Sequence, residues 1–295
     1  MRILRYMLLT GMVLGTMSGY TQQLDTEYTV FGDAYRLRRP STMAVSPGGE
    51  SIAVSDLSTN RILVIDLFGR LLWVAGEQAR LDQPGAICFE SESHIIFVPT
   101  NSLLLLRIHK DRPDRVDTVK NLSDDLADWH HIDRITPRTK SGYLLMNGAR
   151  GKIAAFGSDW QFEGFLVGQG TGKGKLLAPA DLAVTASGRI VAADRKNFPV
   201  QVFAPDGKFL FYAGWNQPSQ QRGWEAVAVA VDSRDFLWVA DETNGQFRIF
   251  DPTGNQVSTM PFLNPAVSPA ALAGTIDNRV AVLEETGRLL FYALE

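Results

Sequence analysis

Short apolar runs recur along the chain, each broken by a polar turn, a pattern that predicts strands. Three stretches show it best: "RPSTMAVSPGGESIAVSD", "APADLAVTASGRIVAAD" and "AVAVAVDSRDFLWVAD". Each holds an apolar strand, a polar turn and a second strand ending in aspartate. Those aspartates, Asp56, Asp194 and Asp241, stand 138 and 47 residues apart, and 138 is three times 46. Two further copies therefore lie between the first and the second. After each comes another strand pair, "ILVIDLFGRLLWVAG", "VQVFAPDGKFLFYAG" and "FRIFDPTGNQVSTM", whose turn glycines Gly69, Gly207 and Gly254 repeat the same spacings. Glycine accepts the positive φ of tight hairpin turns, so the repeating unit is four strands.

Weaker copies fill the gaps: "QPGAICFESESHIIFVPTNSLLLLRIHKD" as the second, "HHIDRITPRTKSGYLLMNGARGKIAAFGSDWQFEGFLVG" as the third and "SPAALAGTIDNRVAVLEETGRLLFYALE" as the sixth. The last stops after its third strand. A missing outer strand can come from "EYTVFGD", Glu27 to Asp33, which closes the ring and removes free sheet edges. The expected fold is all-β, a six-bladed β-propeller of four-stranded blades closed by an N-terminal strand that completes the last blade. Residues 25–295 form it as one domain. The stretch "GQGTGKGK", Gly168 to Lys175, looks like a phosphate loop but falls between two strands with no helix to open. It also lacks the Ser or Thr after Gly-Lys and the third glycine of the dinucleotide pattern. It reads as a crossing between blades.

Residues 1–24 read differently: Arg2 and Arg5, an apolar run from Met7 to Met17, then small and polar residues, which is the layout of a cleavable export signal with a short linker, or of an uncleaved anchor. The run is short for a span, which needs about 20 residues. The expected location is periplasmic or extracellular, with membrane contact only through an uncleaved N-terminus. A single cysteine, Cys88, cannot form an internal disulfide and sits among apolar neighbours in "GAICFE". With 29 basic and 32 acidic side chains the formal charge is -3, which gives no bulk attraction for nucleic acid.

The pattern Gly-rich linker, Pro, apolar strand, Gly-x-(Ile/Leu)-x-Val-Ala-Asp and Arg-(Ile/Val)-x-(Val/Ile)-Phe resembles the NHL repeat of six-bladed propellers. Its best copies are "GTGKGKLLAPADLAVTASGRIVAADRKNFPVQVFAPDGKF" and "AVDSRDFLWVADETNGQFRIFDPTGN". The resemblance implies the fold and leaves the activity open, because binding scaffolds, lactonases and lyases share it. Ligands of such propellers usually sit on the face of the inter-blade loops. Residues expected there as binding candidates are Trp129, His131, Arg150, Lys173, Asp181, Arg195, Lys196, Arg222, Trp224 and Asn244, and their basic members suggest an anionic ligand or acidic partner. The recurring aspartates are expected to satisfy backbone donors instead.

Aligned blades place Thr42, Ala86, His131, Asp181, Ala228 and Ala271 at the channel mouth. Three alanines leave that ring poorly equipped for a metal. The expectation is an exported, non-catalytic propeller without a cofactor, binding a protein partner or a small-molecule or glycan ligand. The alternative is a metal-assisted hydrolase or lyase for a small lactone, ester or sugar derivative. In it His131, Asp181 and Glu225 act as bases or ligands, and His131 and Asp181 hold calcium or zinc.

Overall fold

A computed structural model describes residues 22–32, 35–78, 81–214 and 223–294. The chain there forms 24 strands in six antiparallel sheets of four. Strand β1 (Gln22–Tyr28) comes first. Blade one is β2 (Pro40–Val45), β3 (Ser51–Asp56), β4 (Arg61–Asp66) and β5 (Leu71–Ala75). Blade two is β6 (Pro84–Ser91), β7 (His94–Pro99), β8 (Leu104–His109) and β9 (Arg112–Asn121). Blade three is β10 (Arg134–Pro137), β11 (Tyr143–Asn147), β12 (Lys152–Phe156) and β13 (Phe162–Val167). Blade four is β14 (Pro179–Val184), β15 (Ile190–Asp194), β16 (Val200–Phe203) and β17 (Phe209–Tyr212). Blade five is β18 (Ala226–Val231), β19 (Leu237–Asp241), β20 (Gln246–Phe250) and β21 (Gln256–Pro261). Blade six is β22 (Pro269–Gly274), β23 (Arg279–Glu284) and β24 (Leu289–Leu294), and β1 pairs with β24 to complete it.

The closing strand lies earlier than its sequence signal suggested. It runs over "QQLDTEY", with a bulge between Leu24 and Thr26, and residues 29–32 lie outside it. A polar edge strand with one partner carries little alternation, which is why "EYTVFGD" looked the better match. The predicted hairpin glycines do hold positive φ: 73° at Gly69, 83° at Gly207 and 88° at Gly254.

Burial follows position within the blade. Strands β3 and β15 are buried at every residue, because both of their faces meet a neighbouring blade. The outer β13 alternates half-buried and exposed positions over most of its length, leaving Phe165 open to solvent. Six apolar clusters fill the six inter-blade spaces. One, between blades four and five, joins Val191, Val200 and Val202 to Val229, Val239 and Phe250. Another, between blades two and three, holds Cys88 with Ile96, Leu145 and Phe156. Burial pushes the Cys88 thiol up to about 12, so it remains protonated as a small apolar side chain.

Candidate functional site at the channel mouth

Inner strands β2, β6, β14 and β22 each begin with proline, and those prolines pair with Asp56, Pro99, Asp194 and Glu284. Register irregularities follow in all four strands. In blades four and six the residue next to the proline, Ala180 or Ala270, lines an open cavity of about 310 Å³. Val227 lines it from blade five, and His131, Asp133 and Arg134 from blade three. The β11–β12, β15–β16 and β23–β24 turns reach the same cavity through Ala149, Arg195 and Glu285. Inter-blade loops and these hairpins thus share one face.

The recurring aspartates build this face without being offered to a ligand. Asp194 is fully buried, and its carboxylate accepts from the backbone N–H groups of Leu177 (2.7 Å), Ala178 (3.1 Å), Lys196 (2.9 Å) and Asn197 (3.1 Å). Asp56 does the same for Arg38, Arg39 and Ser58. Each carboxylate ties the incoming inter-blade loop to its own hairpin. Asp241 instead takes Arg248, with both guanidinium contacts at 2.8 Å, and the Asn244 side chain.

Blade three departs from the pattern, and the departure moves the ring. Asn147 stands where blades one, four, five and six have an acid; its Nδ2 donates to the His131 carbonyl and its Oδ1 accepts from the Arg150 N–H. Arg134 pairs with Met146 just before it, as Asp181 pairs with Ala193 just before Asp194. Arg134, rather than His131, is therefore the structural counterpart of Asp181, a correction of three residues. Their side chains meet: Arg134 Nε donates to Asp181 Oδ1 at 2.7 Å. Asp181 also accepts from the Leu182 N–H and, across to blade five, from the Val229 N–H, both at 2.9 Å. With its side chain 6% exposed, Asp181 clamps blades three, four and five together.

The remaining candidates divide in the same way. His131 Nε2 lies 3.3 Å from Asp133 Oδ2, an oxygen already held by the Gly148 N–H. Arg195 bridges Glu225 and Glu242, each at 3.0 Å, and Glu242 accepts a further bond from Ser268. Of the basic residues here, Arg134 and Arg195 are neutralised by acids of adjoining blades, whereas Arg150 and Lys196 enter no ion pair among the described residues. Trp129 and Trp224, expected among the binding residues, are buried. Trp129 is 1% exposed within the cluster between blades two and three. Trp224 packs near Phe250 under the Arg248 guanidinium. Arg150, Lys196 and Asn244 stay on the rim, and Asn244 donates to Asp241 and the Gly223 carbonyl. Lys173 lies away from the mouth, over Phe209. Arg222 falls outside the described residues, as do residues 1–21, which hold most of the segment expected to be a signal or anchor.

The donor set does not fit the metal of the alternative reading. Among the described residues no three His, Cys, Asp or Glu side chains converge. The one buried acid at the mouth that was expected to ligate, Asp181, already accepts three hydrogen bonds.

No protein-family profile and no curated protein sequence matches the chain. Solved structures do match it. A streptogramin B lyase superposes with a TM-score of 0.62 at 11% identity, over 94% of this chain and 98% of that one. Virginiamycin B lyase from Staphylococcus aureus gives 0.62 at 12% identity, over 94% and 100%. A structural-genomics protein from Bacteroides thetaiotaomicron gives 0.66 at 11% identity, over 94% and 76%. The chain shares their fold. At these identities the likeness extends to the propeller and no further.

Proposed function

We propose that this chain is an exported, non-catalytic propeller of the NHL-like kind. It binds a protein partner or a small ligand through its loop-rich face, as a scaffold or accessory subunit of an envelope or extracellular assembly. The observation that carries the reading is the engagement of the mouth's charges: Asp181, Asp133, Glu225 and Glu242 are each held by a cation or a backbone donor of the protein itself. Such groups shape a rigid surface and leave no carboxylate set poised for chemistry. The NHL kinship rests on the 46- to 47-residue period with its terminal aspartates. Export rests on the charged and apolar layout of residues 2–17.

Arg150 and Lys196 are suited to carry recognition. Their backbone amides are engaged, but their side chains enter no ion pair among the described residues. Reversing Arg195 would crowd three carboxylates; reversing these two breaks no ion pair among the described residues. The variant Arg150→Glu with Lys196→Glu is expected to keep the melting temperature and to lose a partner cross-linked to the full-length protein in its native envelope by about tenfold. Undiminished cross-linking would remove the loop face as the contact surface.

A second reading is favoured by one contact. The His131–Asp133 pair at the cavity could orient an imidazole for proton transfer, and two fold neighbours bear the name of lyases. It corresponds to hydrolase or lyase chemistry on a small lactone, ester or sugar derivative at the mouth.

A further inference from the structure

Away from the mouth, the loop "GQGTGKGK" forms one wall of a groove of about 630 Å³ along the rim of blade four. The loop crosses from β13 to β14 and is pinned by the Gly170 N–H on the Leu176 carbonyl at 2.9 Å. Its glycines let it lie on an aromatic ring. Gly174 has φ +71°, and a Cβ there would stand 3.0 Å from Phe209 Cβ. The next residue back, Lys173, is exposed and holds its ammonium 4.9 Å from the Phe209 ring centre.

From Phe209 the rings continue as a row. Tyr212 follows with centroids 4.6 Å apart, and Phe198 stacks on Tyr212 at 4.0 Å. All three rings line the groove and all are half-buried. The groove therefore has an aromatic floor with one cation at its end. Polar side-chain groups in the lining are few: Thr171, Thr253 and the Tyr212 hydroxyl join Lys173. The Thr253 hydroxyl is already donated to Asp251, whose carboxylate also caps its own turn through the Thr253 and Asn255 N–H groups. Lys173 has no carboxylate partner among the described residues, and Asp206 on the β16–β17 turn is taken by Lys208.

A mostly apolar groove of this size with one convergent charge has the make-up of a small-molecule site. Ring faces attract flat ring systems, while an ammonium that has a ring face but no carboxylate beside it among the described residues suits an anion. A sugar would require several hydrogen-bonding partners that the lining lacks. We propose that this groove binds a flat aryl carboxylate, its ring on the Phe209–Tyr212–Phe198 row and its carboxylate on Lys173 Nζ. The site goes beyond the channel mouth and does not depend on the function proposed for it.

Calorimetric titration of the full chain with naphthoate and with its neutral analogue naphthalenemethanol tests the assignment. Naphthoate should bind saturably at a single site. Affinity should fall about tenfold in Lys173→Gln and about tenfold in Phe198→Leu. Naphthalenemethanol should bind more weakly than naphthoate and be indifferent to Lys173→Gln. Both substitutions lie in loops, and unchanged melting temperatures confirm intact folds. The pair Arg150→Glu and Lys196→Glu should leave naphthoate affinity unaltered, which separates this groove from the mouth. Equal affinity for acid and alcohol, or naphthoate binding untouched by Lys173→Gln, would overturn the anion assignment. No saturable binding at all would overturn the site.

Discussion

Replacing Asp194 with alanine should destabilise the protein by about 3–5 kcal/mol, because four backbone N–H groups lose their acceptor at once. The side chain is fully buried, so water cannot take over without opening the loop. Each orphaned buried donor costs on the order of 1–3 kcal/mol, and partial relaxation keeps the total below the simple multiple. For a domain of this size the loss corresponds to roughly 5–9 °C in Tm. Two donors belong to the loop entering blade four and two to the β15–β16 turn. Amide hydrogen exchange should therefore accelerate first at Leu177, Ala178, Lys196 and Asn197. Asp194→Asn, which keeps one acceptor oxygen, should lose less. A Tm within about 2 °C of wild type for Asp194→Ala would show that the carboxylate does not hold the loop.

The second large effect is expected at Asp181, and it separates a clamp from a catalytic group. Asp181→Ala leaves the Arg134 guanidinium, whose side chain is 17% exposed, without its partner and leaves the Val229 N–H of blade five unpaired. A stranded charge of this kind costs about 3–5 kcal/mol. Arg134→Met in the same chain removes that charge, so the double variant should recover about half of the loss, the rest reflecting the Val229 donor. Denaturant unfolding of the wild type, both single variants and the double variant measures this coupling. Additive losses would mean that the two side chains do not act as a unit across blades three and four.

Much of this architecture was legible in the repeats. Asp56 and Asp194 recur because their blades tie down an incoming loop, and a buried carboxylate that accepts backbone amides does so at a fixed place in the period, while Asp241 keeps the position but takes Arg248 and the Asn244 N–H of its own hairpin. Gly69, Gly207 and Gly254 recur because the hairpins demand positive φ. Blade three broke the register. Asn147 performs the tying with an amide and leaves no aspartate to align on, so His131 was set in the ring in place of Arg134. Asp181 was expected at the mouth, and a sequence does not show that an arginine 47 residues earlier occupies its carboxylate. Trp129 and Trp224 precede inner strands, where a tryptophan can turn outward or inward. The apolar clusters of adjoining blades decide it, and that packing is not local. The same holds for "GQGTGKGK": its loop character was visible, while the aromatic row beneath it belongs to strand β17 and to the β15–β16 turn.

The central claim, a mouth whose charges are held within the protein for recognition instead of metal chemistry, is most directly tested by metal content. Purified chain is equilibrated with calcium and zinc, freed of unbound ions by gel filtration and measured by inductively coupled plasma mass spectrometry beside His131→Ala. Substoichiometric metal is expected in both proteins, with no difference between them. One equivalent of calcium or zinc per chain in the wild type that disappears in His131→Ala would contradict it and establish a metal centre at the mouth.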